Sequence, residues 1–269
     1  MEPVDLTNPE VRPATVASLA AQLRQLGVTP GGVLLVHASL RSLGYVAGGA
    51  HAVVLALLEA LGPEGTLMVP THSSQLSEPS HWVNPPVPES WWEVLREAQP
   101  AYDPALTATR SMGQIPDTVR ALPGALRSPH PTLSFCAAGP RAEALCAHHG
   151  VADGFGDASP LGRLYDHGGQ VLLLGVGYDR CTSLHLAELR SSTPQRRILQ
   201  GAPMLLDGAR HWVTYDEVDF DTDDFVHLGA AFAAAGLERR GLVGQGEARL
   251  SEVRDLVDYA TGWFDEHRP

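Results

Sequence analysis

Apolar residues recur at helical spacing over Thr15–Leu26 (Val16, Leu19, Ala20, Leu23 and Leu26), and Gly27 stands where a left-handed cap would end that helix. Three short apolar runs, Val33–Val36, Thr66–Val69 and Val171–Leu174, are flanked by glycine and predict central strands buried on both faces. Ala50–Leu61 is a strong helical pattern closed by Gly62-Pro63, so residues 33–70 form a strand–helix–strand unit with a right-handed crossover. Further helices are predicted over Pro116–Leu122, Arg141–His149, Leu184–Arg190, Asp223–Ala235 and Ser251–Glu266, with another strand near His211–Val218. The order is that of an α/β protein, without internal repeats or a convincing domain boundary. Ser77–Pro104 breaks the pattern, with six prolines and Trp82, Trp91 and Trp92 in 28 residues. Linkers rarely carry three tryptophans, so this is an ordered excursion, either a lid or a cluster that closes the core.

Composition narrows the chemistry. The chain has 269 residues, enough to bury a substantial core, and a formal charge of −12 from 31 acids against 19 bases. All the bases are arginine. With no lysine, neither a P-loop nor a pyridoxal phosphate or Schiff-base enzyme can be built. The acidic balance repels nucleic acid and anionic membranes and attracts polycations. No apolar run reaches the ~20 residues that span a bilayer, and the Pro-rich, acid-bearing Met1–Pro13 segment lacks a leader pattern, so a soluble, cytoplasmic protein is expected. Cys136, Cys146 and Cys181 are an odd set without a CxxC spacing, which argues against disulfides or structural zinc and suits a reducing compartment.

In open α/β sheets ligands bind beyond the carboxyl ends of the strands. The three segments there are rich in polar residues: His37–Ser42, Pro70–Ser74 and Gly175–His185. His185 is the best candidate base, because imidazole titrates nearest neutrality and Glu188 follows three residues later on the same helical face. The alternative is an exposed ion pair. Six carboxylates fall within Tyr215–Phe225. Asp219, Asp221 and Asp223 mimic the start of a calcium loop, but Asp224 holds the glycine position and Ala230 the bidentate one, so a calcium site is not expected. What remains is either a solvated acidic helix start or a pocket for a polycation, and strand alternation points Glu217 and Asp219 to one face. GxSxG, HExxH and GxGxxG motifs are absent. A Cys181–His185 thiol–imidazole pair is a weaker alternative.

Taken together, residues 27–44 (GVTPGGVLLVHASLRSLG), 61–73 (LGPEGTLMVPTHS), 109–140, 158–188 (ending GVGYDRCTSLHLAE) and the acidic stretch at 215–225 resemble the aminoglycoside 3-N-acetyltransferase family. The segments occur in family order over most of residues 27–225, and the pyrophosphate loop of GNAT acetyltransferases is absent. The resemblance implies one acetyltransferase domain over residues 1–269, a single-domain α/β/α layered fold with a central mixed, largely parallel sheet distinct from the GNAT fold. It implies acetyl-CoA as cosubstrate, no metal, a cationic aminoglycoside as acceptor, and a monomer or homodimer. It further implies that Ser39, Leu40, Arg41 and Ser42, with Arg110, Ser111, Met112 and Gly113, cradle CoA. His185 would be the general base. Glu217 and Asp219 would hold the sugar rings, Glu188 and Thr71 would support, Thr71 as an oxyanion donor, and Asp216 and Asp221 would join the acidic substrate surface. The chain departs from the family at Cys181, where asparagine is usual, and its excursion falls where members differ in length. Two other readings compete: an acyl-CoA-dependent acyltransferase for a non-antibiotic amine metabolite, and a non-catalytic acidic module that binds polyamines.

Overall fold

The computed structural model describes residues 12–268. Residues 1–11 and 269 lie outside the described residues, and with them most of the segment expected to lack a leader.

Along the chain the elements are α1 (Val16–Leu26), β1 (Val33–Ala38), α2 (Gly49–Leu61), β2 (Thr66–Pro70), α3 (Trp92–Ala98), α4 (Gln114–Arg120), β3 (Leu126–Arg127), β4 (Phe135–Ala138), α5 (Ala142–Cys146) and α6 (Pro160–Asp166). There follow β5 (Gln170–Leu174), α7 (Ser183–Arg190), β6 (Arg197–Leu206), β7 (Ala209–Val218), α8 (Phe225–Ala234), β8 (Arg239–Val243), β9 (Gly246–Glu252) and α9 (Val253–His267). Seven strands form one sheet in the order β3-β4-β2-β1-β5-β9-β8, and β6 and β7 form a separate antiparallel hairpin. β1 pairs in parallel with β2 and β5, whereas β2–β4, β3–β4, β5–β9 and β8–β9 are antiparallel. Five strands therefore run one way, and only β4 and β9 oppose them. The sheet is mixed with a parallel centre, as the buried apolar runs predict.

Each central strand is sealed on both sides. Leu34, Val36, Leu67, Val69, Leu172 and Leu174 meet α1, α2 and α4 through Leu19, Leu23, Val53, Leu57 and Val119. Leu35, Met68 and Leu173 face the other way, toward Leu145, Leu161, Leu184, Leu256 and Phe264 of α5, α6, α7 and α9. The result is three layers, α/β/α. α1 opens with a Thr15–Ser18 capping box and closes at Gly27 in the left-handed conformation (φ 106°), both local signals acting as written in the sequence.

Differences are confined to elements with weak local patterns. The helix predicted from Ser251 begins at Val253, because residues 246–252 pair with β5 and β8 as β9. Arg141–His149 is helical only over Ala142–Cys146. The predicted strand near His211–Val218 is the second arm of the β6–β7 hairpin, register Gln200 opposite Tyr215. The 77–104 excursion is tied to that hairpin: Tyr102 N–H donates to the Pro203 carbonyl at 2.8 Å and the Arg210 guanidinium donates to the Gln99 carbonyl at 2.9 Å. Within it Arg96 holds Glu78, and Trp82 Nε1 donates to Ser77 Oγ. Among the described residues no helix is long and apolar enough to cross a membrane.

Candidate active site

Because β1, β2 and β5 are parallel neighbours, their carboxyl ends share one edge of the sheet, and the three polar segments emerge there together. Gly175 permits the turn out of β5. Its φ is 68°, and a Cβ would lie 2.4 Å from that of Ser42. The chain then enters α7, whose first turn carries His185.

His185 is nearly buried and held on two levels. Its Nδ1 donates to Glu188 Oε2 at 2.9 Å, and the ring stacks on Phe155, centroids 4.9 Å apart and planes 8° from parallel. Phe220 and Phe225 lie against it at 4.7 and 5.0 Å. A carboxylate only accepts, so Nδ1 carries the proton and Nε2 keeps the lone pair. Glu188 is fixed in turn, since its Oε1 accepts from Arg268 Nη1 at 2.6 Å.

A cavity of about 590 Å³ lies over this group, lined by His37, His72, Phe155, Cys181, Thr182, His185, Phe220 and Phe225, among others. Burial, aided by the neighbouring His185, pushes His37 down to about 3. Burial, with coupling to His37 and His185 next, does the same to His72. Both therefore stay neutral at physiological pH. Burial also pushes the Cys181 thiol up to about 12, which makes it a poor nucleophile and disfavours the thiol–imidazole pair.

A second cavity, of about 580 Å³, is lined by Ser39, Leu40, Arg41, Ser111, Met112 and Gly113. The structure thus brings both halves of the expected CoA cradle together. Ser111 and Gly113 carry positive φ values of 59° and 87°, and Arg41 is exposed with no acidic partner among the described residues. The two cavities share Ala38, Ser111 and Met112 as walls. Two expected cradle residues are turned elsewhere. Ser42 Oγ donates to the Gly175 carbonyl at 2.9 Å, and Arg110 Nη2 donates to the Asn84 carbonyl at 3.1 Å. Thr71 is fully buried and lines neither cavity. Its hydroxyl donates to Ser134 Oγ at 3.3 Å, and its carbonyl accepts from Arg127 at 2.6 Å.

The acidic segment divides around Phe220. Glu217 lines a cavity of about 300 Å³ together with Asp153, Gly154, Asp157, Arg190 and Arg197. Its Oε1 is buried without a hydrogen-bond partner, and burial raises the carboxyl to about 7 against a weaker opposing pull from Arg197. Asp219 and Asp221 line a different hollow of about 620 Å³, beside Glu188 and Arg268. Asp219 is there paired with Arg196. Alternation fails to put Glu217 and Asp219 side by side because β7 ends at Val218. Asp216 is exposed on the other face of β7. Phe220, at the partition, walls both of these hollows and the cavity over His185.

Sequence reasoning misses Phe155, the ring that stacks on His185, and Arg268. The glycines on either side of Phe155 are its only local signal: a Cβ on Gly154 would meet Leu133 at 2.5 Å. Nothing around Arg268 marks it.

The family model described as aminoglycoside 3-N-acetyltransferase matches residues 35–265. The chain is 42% identical over 254 residues to the SPbeta prophage-derived aminoglycoside N(3')-acetyltransferase-like protein YokD of Bacillus subtilis (strain 168), covering 94% of this chain and 93% of the relative. It is 37% identical to aminoglycoside N(3)-acetyltransferase VII of Streptomyces paromomycinus, covering 94% and 92%. The solved structure of AAC-IIIb in a binary complex with CoASH superposes with a TM-score of 0.86 at 30% identity, covering 96% of this chain and 98% of that one. The chain belongs to the aminoglycoside 3-N-acetyltransferase family.

Proposed function

We propose that this protein transfers the acetyl group of acetyl-CoA to the 3-amino group of the 2-deoxystreptamine ring of aminoglycoside antibiotics, and that this gives resistance. The observation that carries the reading is the common wall of Ala38, Ser111 and Met112 between the Arg41 cavity and the cavity over His185. A CoA seated against Arg41 and the Ser39–Leu40 loop presents its thioester across that wall to the base. Family membership and the CoASH complex of AAC-IIIb support acetyl-CoA as the cosubstrate.

The chemistry follows from the residues. An ammonium group cannot attack a thioester until it loses a proton, and His185 Nε2, with Nδ1 held by Glu188, takes it. The amine nitrogen adds to the thioester carbonyl, the C–S bond breaks as the tetrahedral intermediate collapses, the proton held on His185 passes to the CoA thiolate, and the second proton lost from nitrogen as the neutral amide forms passes to solvent. Neutral His37 and the Thr182 hydroxyl beside it, both on the cavity wall, are the side-chain donors nearest to hand for the oxyanion, in place of Thr71. Glu217, with an acceptor atom unpaired and Asp153 and Asp157 beside it, suits a second amino group of a polycationic substrate. The three cysteines are free and buried, and we place the enzyme in the cytoplasm, where acetyl-CoA is held.

The test is the product. Incubation with acetyl-CoA and a panel of deoxystreptamine aminoglycosides is expected to give a monoacetylated drug, with the 3-nitrogen acetylated by NMR, and expression in a susceptible bacterium is expected to raise the inhibitory concentration. Acetylation at another nitrogen overturns the regiochemistry. Turnover of other amines without a resistance shift favours the metabolite reading instead. Arg41→Ala is expected to raise the KM for acetyl-CoA roughly fivefold with kcat little changed, since an exposed charged contact to phosphate is worth about 1 kcal/mol. Initial-rate kinetics at varied acetyl-CoA check this.

A further inference from the structure

We infer that Arg268 is a positioning residue for the acyl transfer: it anchors Glu188 so that the carboxylate stays aimed at His185 Nδ1 and the base stays oriented.

Contacts with four residues support the assignment. Arg268 Nη1 donates to Glu188 Oε1 at 2.6 Å, while Nε and Nη2 grip both oxygens of Asp224 at 2.7 Å each. Nη2 also donates to the Asp221 carbonyl at 3.2 Å, and the guanidinium lies 4.1 Å from the centroid of Phe264. Its N–H caps the carbonyl of Phe264 at the end of α9. A cation at a helix C-terminus is favourable in its own right. Here it also ties α9 to α7 through Glu188 and to the start of α8 through Asp224, and the next residue, Phe225, packs on His185.

The charge balance gives the guanidinium its part. Glu188 is almost fully buried, and its other oxygen is already on His185. A buried carboxylate with a single imidazole partner would draw a proton onto that imidazole and hold it there. The base would then stand already protonated when substrate arrives. Arg268 is the counter-charge on the second oxygen of that carboxylate, and the bidentate Asp224 keeps Arg268 in place. The other charged or titratable groups around His185 are neutral His37 and His72 across the cavity, the Cys181 thiol, held protonated by burial, and Asp179 and Arg180 among the lining residues. Around Glu188 and Arg268 they are Arg196, Asp219, Asp221 and Asp223. None of these touches Glu188. Arg268 also lies outside residues 35–265, the span matched by the family model.

The inference rests on His185 being the base of the proposed reaction, and the test separates the two. In the free protein, the imidazole NMR titration of His185 is followed in wild type, Arg268→Ala and Arg268→Lys. The midpoint is expected to rise by about one pH unit in Arg268→Ala and to return toward wild type in Arg268→Lys. This readout needs no turnover. With acetyl-CoA and an aminoglycoside, Arg268→Ala is expected to lose roughly tenfold or more in kcat at neutral pH with KM for both substrates little changed. The loss should shrink as pH rises, because the acid limb has moved up. An unmoved or lowered midpoint, or a kcat loss that is the same at every pH and tracks a lower melting temperature, overturns the inference and leaves Arg268 structural. A moved midpoint with no acetyl transfer by wild type upholds the positioning and overturns the reaction.

Discussion

His185→Ala is expected to lower kcat for acetyl transfer by about 10²- to 10⁴-fold, or roughly 3 to 5 kcal/mol of barrier, with KM for acetyl-CoA nearly unchanged. The loss falls on kcat because Nε2 acts on the amine in the transition state, while the CoA cavity is lined by other residues. The fold should survive. Removing the imidazole frees one oxygen of Glu188, but Arg268 still holds the other, so no buried carboxylate is left without a partner. Three phenylalanine rings remain to close the space. Rates should be measured beside circular-dichroism melts. A variant as active as wild type would remove His185 from the reaction.

Glu217→Gln has the next largest effect, and it is one of stability. In the folded protein burial raises the Glu217 carboxyl from 4.5 to about 7. The folded state therefore binds this proton more tightly than the unfolded chain does. The resulting stability is complete below about pH 4.5 and is lost as pH rises through about 7. The span corresponds to about 3 kcal/mol at 1.36 kcal/mol per unit. Glutamine cannot ionise, so Glu217→Gln should match wild type near pH 4.5 and exceed it by up to that amount above pH 8, in urea melts across the range. Equal stability at high pH would mean that Glu217 is ionised and satisfied in the free protein. The gain has a functional cost. A polyamine favours the ionised form, so the variant's KM for the aminoglycoside should rise, and added drug at pH 8 should stabilise wild type more than the variant.

The layered fold was readable where each element carries its own signal. Val33–Val36 and Val171–Leu174 are apolar throughout because helices cover both faces, and Gly27 marks its cap by needing a positive φ. β9 was hidden by charge: Glu247 and Arg249 alternate outward with Ala248 and Leu250 inward, a half-buried pattern that reads as the approach to a helix. β4 is four residues long; of its two partners β3 has only two residues, and its pairs with β2 join positions 65 to 71 apart, so tertiary contact defines it.

The site divides in the same way. His185 and Glu188 are three apart on one helix, and Ser39–Arg41 follows a strand, so local spacing finds them. Three assignments depend on distant partners instead. Thr71 is turned inward by Ser134 and Arg127, the latter a buried guanidinium that also reaches the Thr107 carbonyl. Asp219 leaves the face of Glu217 because the strand stops one residue earlier. Arg268 meets Glu188 across 80 positions of sequence, and no periodicity carries that distance.

The most direct measurement is CoA thiol release by the wild-type protein from acetyl-CoA on addition of a deoxystreptamine aminoglycoside. The account predicts saturable release that depends on both substrates and yields one thiol per acetylated drug. No release with any aminoglycoside across the panel, from protein shown to be folded, would contradict it.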